Sequence, residues 1–88
     1  MSAPIRLEYG IVWVRTDCVD HELEQRRGDL SEMASLADDV NAAALDLAGV
    51  QVCMQPNGWA ACPPGADPAE TMDAIDRALA AVLEWEAA

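Results

Sequence analysis

Acidic charge is concentrated in two segments of this chain, and that partition limits what it can fold into. Residues 17–49 hold nine acids and two arginines, residues 66–88 hold six acids and one arginine, and residues 50–65 carry no charged side chain. Residues 1–16 carry only Arg6, Arg15 and Glu8. Both acidic segments repeat apolar residues at spacings of three and four, as a helix with one buried stripe does. Leu30, Met33, Ala37, Val40, Ala44 and Leu47 make the first stripe, widened by Leu36 and Leu45. Asp29 or Ser31 caps its start and Gly49 ends it, which predicts a helix over 29–48. The second segment opens with Asp67-Pro68-Ala69-Glu70, an N-cap carboxylate followed by a proline at the first helical position. Met72, Ile75, Leu79 and Val82 then share one face beside Leu83, predicting a helix over 68–86. Val19 and Leu23, four apart after a capping Asp17, allow a short helix within 17–27 that Gly28 interrupts.

The low-charge segments alternate with period two. Ile5, Leu7, Tyr9, Ile11 and Trp13 alternate with Arg6, Glu8, Gly10, Val12 and Val14, which predicts one strand with an apolar, core-facing side that includes Trp13. Val50, Val52 and Met54 alternate with Gln51, Cys53 and Gln55, and Pro56-Asn57-Gly58 reverses the chain before Trp59-Ala60-Ala61-Cys62. Pro63-Pro64-Gly65 ends that hairpin and leads to the helix cap. The expected architecture is α+β: a small two-layer sandwich in β-α-β-β-α order, with about three strands and two main helices. With 52% hydrophobic residues, 88 residues suffice for one core and not for two, so a single domain is expected over 1–88. With both helices on one sheet face, Gln51, Cys53 and Gln55 join Val12 and Val14 on the other, a mildly polar surface suited to a homodimer through the sheet.

Sixteen acids against five arginines, with no lysine, leave a net charge of −11. Such a chain is repelled by DNA, RNA and anionic lipid, so direct nucleic-acid binding and membrane association are not expected, and the natural partner is a basic protein surface. No basic leader precedes an apolar run, and no run approaches the roughly 18 apolar residues of a membrane span. An odd set of three cysteines fits a reducing compartment better than a disulfide framework, so the expected location is the cytoplasm of a bacterial host.

The sequence holds no glycine-rich phosphate loop, no zinc-protease helix and no nucleophile elbow. Cys18 and His21 are three apart, but nucleophilic chemistry would also need an orienting third group in reach. Carboxylates on exposed helix faces lack the enclosure that acid–base catalysis uses. The expectation is a non-enzymatic protein without a cofactor. Cys18, His21, Cys53 and Cys62 are the residues a closed zinc site would draw on. Zinc ligands usually come in close pairs, whereas eight residues separate Cys53 from Cys62, so no metal is expected unless the hairpin sets those two opposite each other.

The candidate partner-binding residues are acids and tryptophans. Glu32, Asp39 and Asp46 lie seven apart and form one stripe spaced roughly 10 Å by helix rise, with Asp38 beside it. Asp73 and Asp76 repeat the arrangement on the second helix, where Arg77 offers local pairing. Trp59 and Trp85 are the expected aromatic anchors.

Two resemblances bear on these residues. The hairpin of residues 50–62, Gly58-Trp59-Ala60-Ala61-Cys62-Pro63, and the following Ala69-Glu70-Thr71-Met72-Asp73-Ala74-Ile75 resemble the hairpin and helix of HicB-like antitoxin domains, although the long helix after the first strand departs from that pattern. This resemblance implies an antitoxin-like or housekeeping module, dimeric through the sheet, that neutralises a basic partner protein. In character, a short, lysine-free, strongly acidic chain without active-site motifs also resembles the small phage-encoded inhibitors, anti-CRISPR proteins among them. That resemblance implies an inhibitor encoded by a phage or mobile element, which blocks the nucleic-acid-binding surface of a processing complex by steric and charge competition, as a nucleic-acid mimic.

Overall fold

In the computed structural model, which describes residues 4–87, the first apolar segment does not run straight. Residues 1–3 and 88, which the single-domain expectation also spans, lie outside the described residues. Tyr9 and Gly10 take left-handed backbone angles, φ 53° and 76°, and close a two-residue turn between β1 (Ile5–Glu8) and β2 (Ile11–Val14). Positive φ at both central residues is the turn whose twist matches a tight hairpin. The single strand expected over 5–14 is therefore a hairpin, and its faces change. Ile5 pairs with Val14 and Leu7 with Val12, so odd-numbered residues of β1 share a face with even-numbered residues of β2. Val14 is fully buried, whereas Ile11 is exposed and Trp13 half-buried on the opposite side. The expected apolar face, with Trp13 in the core, does not form because the turn inverts the alternation halfway along it.

The chain continues through α1 (Asp17–Gln25), α2 (Leu30–Ala48), β3 (Cys53–Met54), β4 (Ala60–Ala61) and α3 (Pro68–Ala87). The α+β class holds, with four strands and three helices among the described residues in ββααββα order, rather than about three strands and two main helices in β-α-β-β-α order. All strand pairs are antiparallel, in the order β1-β2-β4-β3. The second hairpin is shorter than its alternation suggests. Gln55 N–H still bonds the Trp59 carbonyl at 2.8 Å across the turn, but the backbone of Met54 is held on its other side by a helix rather than a strand.

Local chemistry sets the helix ends. Thr16, not Asp17, caps α1, its hydroxyl accepting the Val19 N–H at 3.2 Å. Asp29 caps α2 by accepting from Glu32 N–H at 3.1 Å, and Gly49 ends it at φ 66°. Asp67 accepts from Ala69 N–H at 3.0 Å, with Pro68 as the first residue of α3. Leu36, Val40, Ala43 and Ala44 of α2 face Ile75, Ala78, Leu79 and Val82 of α3 in one buried cluster, closed by Val14, Met54 and Ala60 from the sheet and by Val19 and Leu23 from α1. The apolar stripe of α2 is narrower than expected: Leu30, Leu45 and Leu47 are all at least half exposed.

α3 lies against β2 and α2 against β3, so the helical layer covers the centre and one edge of the sheet and stops short of β1. Val12 and Val14 point toward that layer and are absent from the outer face, which carries Arg6, Glu8, Ile11, Trp13, Cys53 and Ala61.

Gly58 joins α1 to the second hairpin. It sits buried at φ 95°, and a Cβ there would lie 3.0 Å from Leu23 Cδ1 and 3.4 Å from Asp20 Oδ1. Gly58→Ala therefore meets both an unfavourable backbone conformation and a close neighbour. A loss of about 1–3 kcal/mol is expected in urea unfolding, with Gly65→Ala, which has open space around it, losing less.

Candidate functional site

Every arginine in this chain has an acidic partner. Arg6 pairs with Glu8, Arg15 with Asp20 at 2.5 Å, Arg27 with Glu24 at 3.0 Å and Arg77 with Asp73 at 3.9 Å. Arg26 is the most enclosed, its side chain 15% exposed at the end of α1. It donates to Glu86 of α3 at 2.8 Å and to Glu32 of α2 at 3.0 Å, with Glu22 at 3.9 Å, so one guanidinium joins all three helices. The Glu86 hydrogen bond, opposed by burial and reinforced by the charges of Glu86, Glu32 and Glu22, raises its pKa above the ordinary arginine value. A raised folded value means that deprotonation of Arg26 removes this stabilisation only in extreme alkali.

These pairings divide the acids singled out from the sequence. Glu32 is committed to Arg26 and Asp73 to Arg77. Asp76 turns toward α1, where it lines an apolar groove with Cys18, His21, Leu79 and Leu83, and its Oδ1 is buried without a partner among the described residues. Asp73 instead borders a separate shallow depression with Glu70 and Ala48, so the two aspartates of α3 do not act as one stripe. Asp38, Asp39 and Asp46 remain: exposed, on α2, and without an ion pair among the described residues. The four-acid patch expected on this helix is a three-aspartate patch, because the fold uses Glu32 to hold α1.

The tryptophans separate as well. Trp85 is 57% exposed near the end of α3, beside Glu86 in sequence. Trp59 lies on the outer side of the sheet, with the guanidinium of Arg6 5.2 Å and that of Arg15 5.6 Å from its ring centre, within cation–π range. With Trp13, Tyr9, Ile11 and Gln55 it lines an open groove of about 330 Å³. Alternation along an unbroken strand places Trp13 in the core and so does not disclose this arginine–tryptophan cluster. The signal available was the Tyr9-Gly10 pair, which turns the chain and brings Arg6 and Trp13 opposite each other.

The cysteines do not converge. Cys53 pairs with Ala61, not Cys62, and neighbouring residues alternate faces, so Cys53 is on the outer face while Cys62 packs against the core. Cys18 and His21 lie on α1, both exposed, with His21 hydrogen-bonded to Gln25. Among the described residues no three His, Cys, Asp or Glu side chains gather as a metal site would require.

Searches with this chain found no matching family model, no matching curated protein and no matching solved structure. Among the described residues, no helix is long and apolar enough to cross a membrane.

Because Glu32 and Glu86 are themselves largely exposed, the Arg26 network is screened by solvent and salt. Arg26→Ala is expected to cost about 1–2 kcal/mol in urea unfolding at low salt, with the difference from wild type shrinking in high salt.

Proposed function

We propose that this protein is a non-enzymatic, acidic protein-binding inhibitor that occupies a basic, nucleic-acid-binding surface of a partner complex. The observation that carries this reading is the distribution of unpaired charge. All five arginines are matched internally, and the acids without an ion pair among the described residues, Asp76 excepted, are exposed. Asp38, Asp39 and Asp46 concentrate part of it on the solvent side of α2. Solubility needs less charge than this, and self-repulsion opposes compaction, so a surface of this kind favours a role in attracting cations on a partner.

Inhibition would combine steric cover with charge competition. Asp39 and Asp46 are separated by roughly 10 Å of helix rise, far sparser than the phosphates of a duplex. The helix therefore displaces nucleic acid by covering part of its binding site, with a few aspartates taking the place of phosphates. The resemblance to phage-encoded inhibitors supports this reading, and a phage or mobile-element origin with action in a bacterial cytoplasm follows from it. The antitoxin-like alternative shares the basic partner, but the dimer face it relied on is changed: Val12 and Val14 lie on the helix-facing side of the sheet instead of the outer one.

The test is a tagged pull-down from bacterial lysate with nuclease present, followed by competition between this protein and nucleic acid for the partner recovered. Retention is expected to fall as salt rises, and the triple variant Asp38→Lys/Asp39→Lys/Asp46→Lys is expected to lose at least about tenfold in affinity. Unchanged affinity of the folded triple variant, or a partner that binds nucleic acid equally well in its presence, removes the proposal.

A further inference from the structure

The two edges of the sheet are finished differently. At β3, Asn41 of α2 accepts the Met54 N–H on Oδ1 at 2.8 Å and donates Nδ2–H to the Met54 carbonyl at 3.2 Å. Both backbone groups that an added strand would use at Met54 are thereby taken. At β1 all four residues are exposed. The two-residue turn makes Glu8 and Ile11 a hydrogen-bonded pair, and alternation passes that role to Arg6 with Trp13. The pattern continues to Pro4, whose carbonyl accepts the Arg15 N–H at 2.9 Å, while the Val12 carbonyl turns the other way to Cys62 N–H at 2.8 Å. The N–H and C=O groups of Ile5 and Leu7 consequently point to the open edge. Their side chains are 44% and 73% exposed, and Tyr9, held left-handed at the hairpin tip, is 95% exposed.

We propose that this edge pairs with a second copy of the chain, antiparallel across a two-fold axis at Leu7, joining two four-stranded sheets into one of eight strands. Charge selects the register. Leu7 opposite Leu7 of the second copy places Arg6 opposite Glu8 of that copy and Glu8 opposite its Arg6, whereas centring on the preceding residue sets Arg6 against Arg6. Leu7 also has its backbone groups directed outward, so the central pair exchanges both N–H···O bonds. On the helix-facing side, Leu7 meets Leu7 of the second copy with Ile5 beside it, covering apolar groups that the helical layer leaves bare.

Residues 1–16 form the only segment whose arginines outnumber its acids, so contact here brings together the least repelling parts of two chains of net charge −11. Because Asn41 blocks the other edge, assembly closes at two copies instead of extending into a fibre. The pairing leaves the α2 aspartates free and does not depend on the inhibitor reading.

Sedimentation equilibrium from micromolar to near-millimolar protein tests the proposal. The wild type is expected to pass from one chain to two, and hydrogen exchange at the Ile5 and Leu7 amides is expected to slow with concentration. Glu8→Arg sets like charges opposite each other twice and should weaken self-association by about tenfold or more. The swap Arg6→Glu/Glu8→Arg restores opposite charges across the axis and should recover it, circular dichroism confirming that both variants are folded. A monomeric wild type at near-millimolar concentration, assembly beyond two copies, a dimer indifferent to Glu8→Arg, or a folded swap variant that stays monomeric would each overturn it.

Discussion

The packing of α2 against α3 is the contact on which the other elements depend. Ala37, Ala43 and Ala44 on one helix and Ala74 and Ala78 on the other are buried and small, which lets the helices approach while Leu36, Val40, Ile75, Leu79 and Val82 fill the space between them and the sheet. Neither helix would be stable alone in water, and strands of two residues would not pair alone either. β3 and β4 persist because Met54 and Ala60 are buried in the same cluster and Asn41 holds the backbone of Met54 to α2. α1 is attached at two places, through Val19 and Leu23 against Gly58 and through Arg26 to Glu32 and Glu86.

Burying those stripes sends nearly every acid outward, and the fold then distributes the five arginines among them. Arg26 is the instructive case. It spends Glu32, one of the acids that looked free in the sequence, on joining the three helices. What remains available on α2 is a smaller patch than periodicity alone implies, and Asp73 and Asp76 of α3 belong to different surfaces. The charge that matters for a partner is thus what is left after the structure has met its own requirements.

The Tyr9-Gly10 turn has consequences well beyond the hairpin tip. By inverting the alternation it moves Trp13 to the outer face beside Trp59, Arg6 and Glu8, and it turns Val12 and Val14 toward the helices. It also makes β1 an edge strand lying past the helical layer, with Ile5 and Leu7 uncovered. The outer groove, the turning of Val12 and Val14 away from the outer face and the open edge all follow from two positive φ angles.

By itself the sequence determined α2 and α3 and their limits, since periodicity, Asp29, Gly49 and Asp67-Pro68 act over one or two turns of chain. It also determined the excess of acid and its absence from residues 50–65. Tertiary structure decided which side of each strand is buried, because a strand's face depends on where the chain reverses, and an alternating apolar run reads the same whether or not it turns at Tyr9 and Gly10. It likewise decided which acids are free and where the cysteines lie. Those outcomes depend on contacts between residues distant in sequence, such as Arg26 with Glu86, and local patterns carry no record of them.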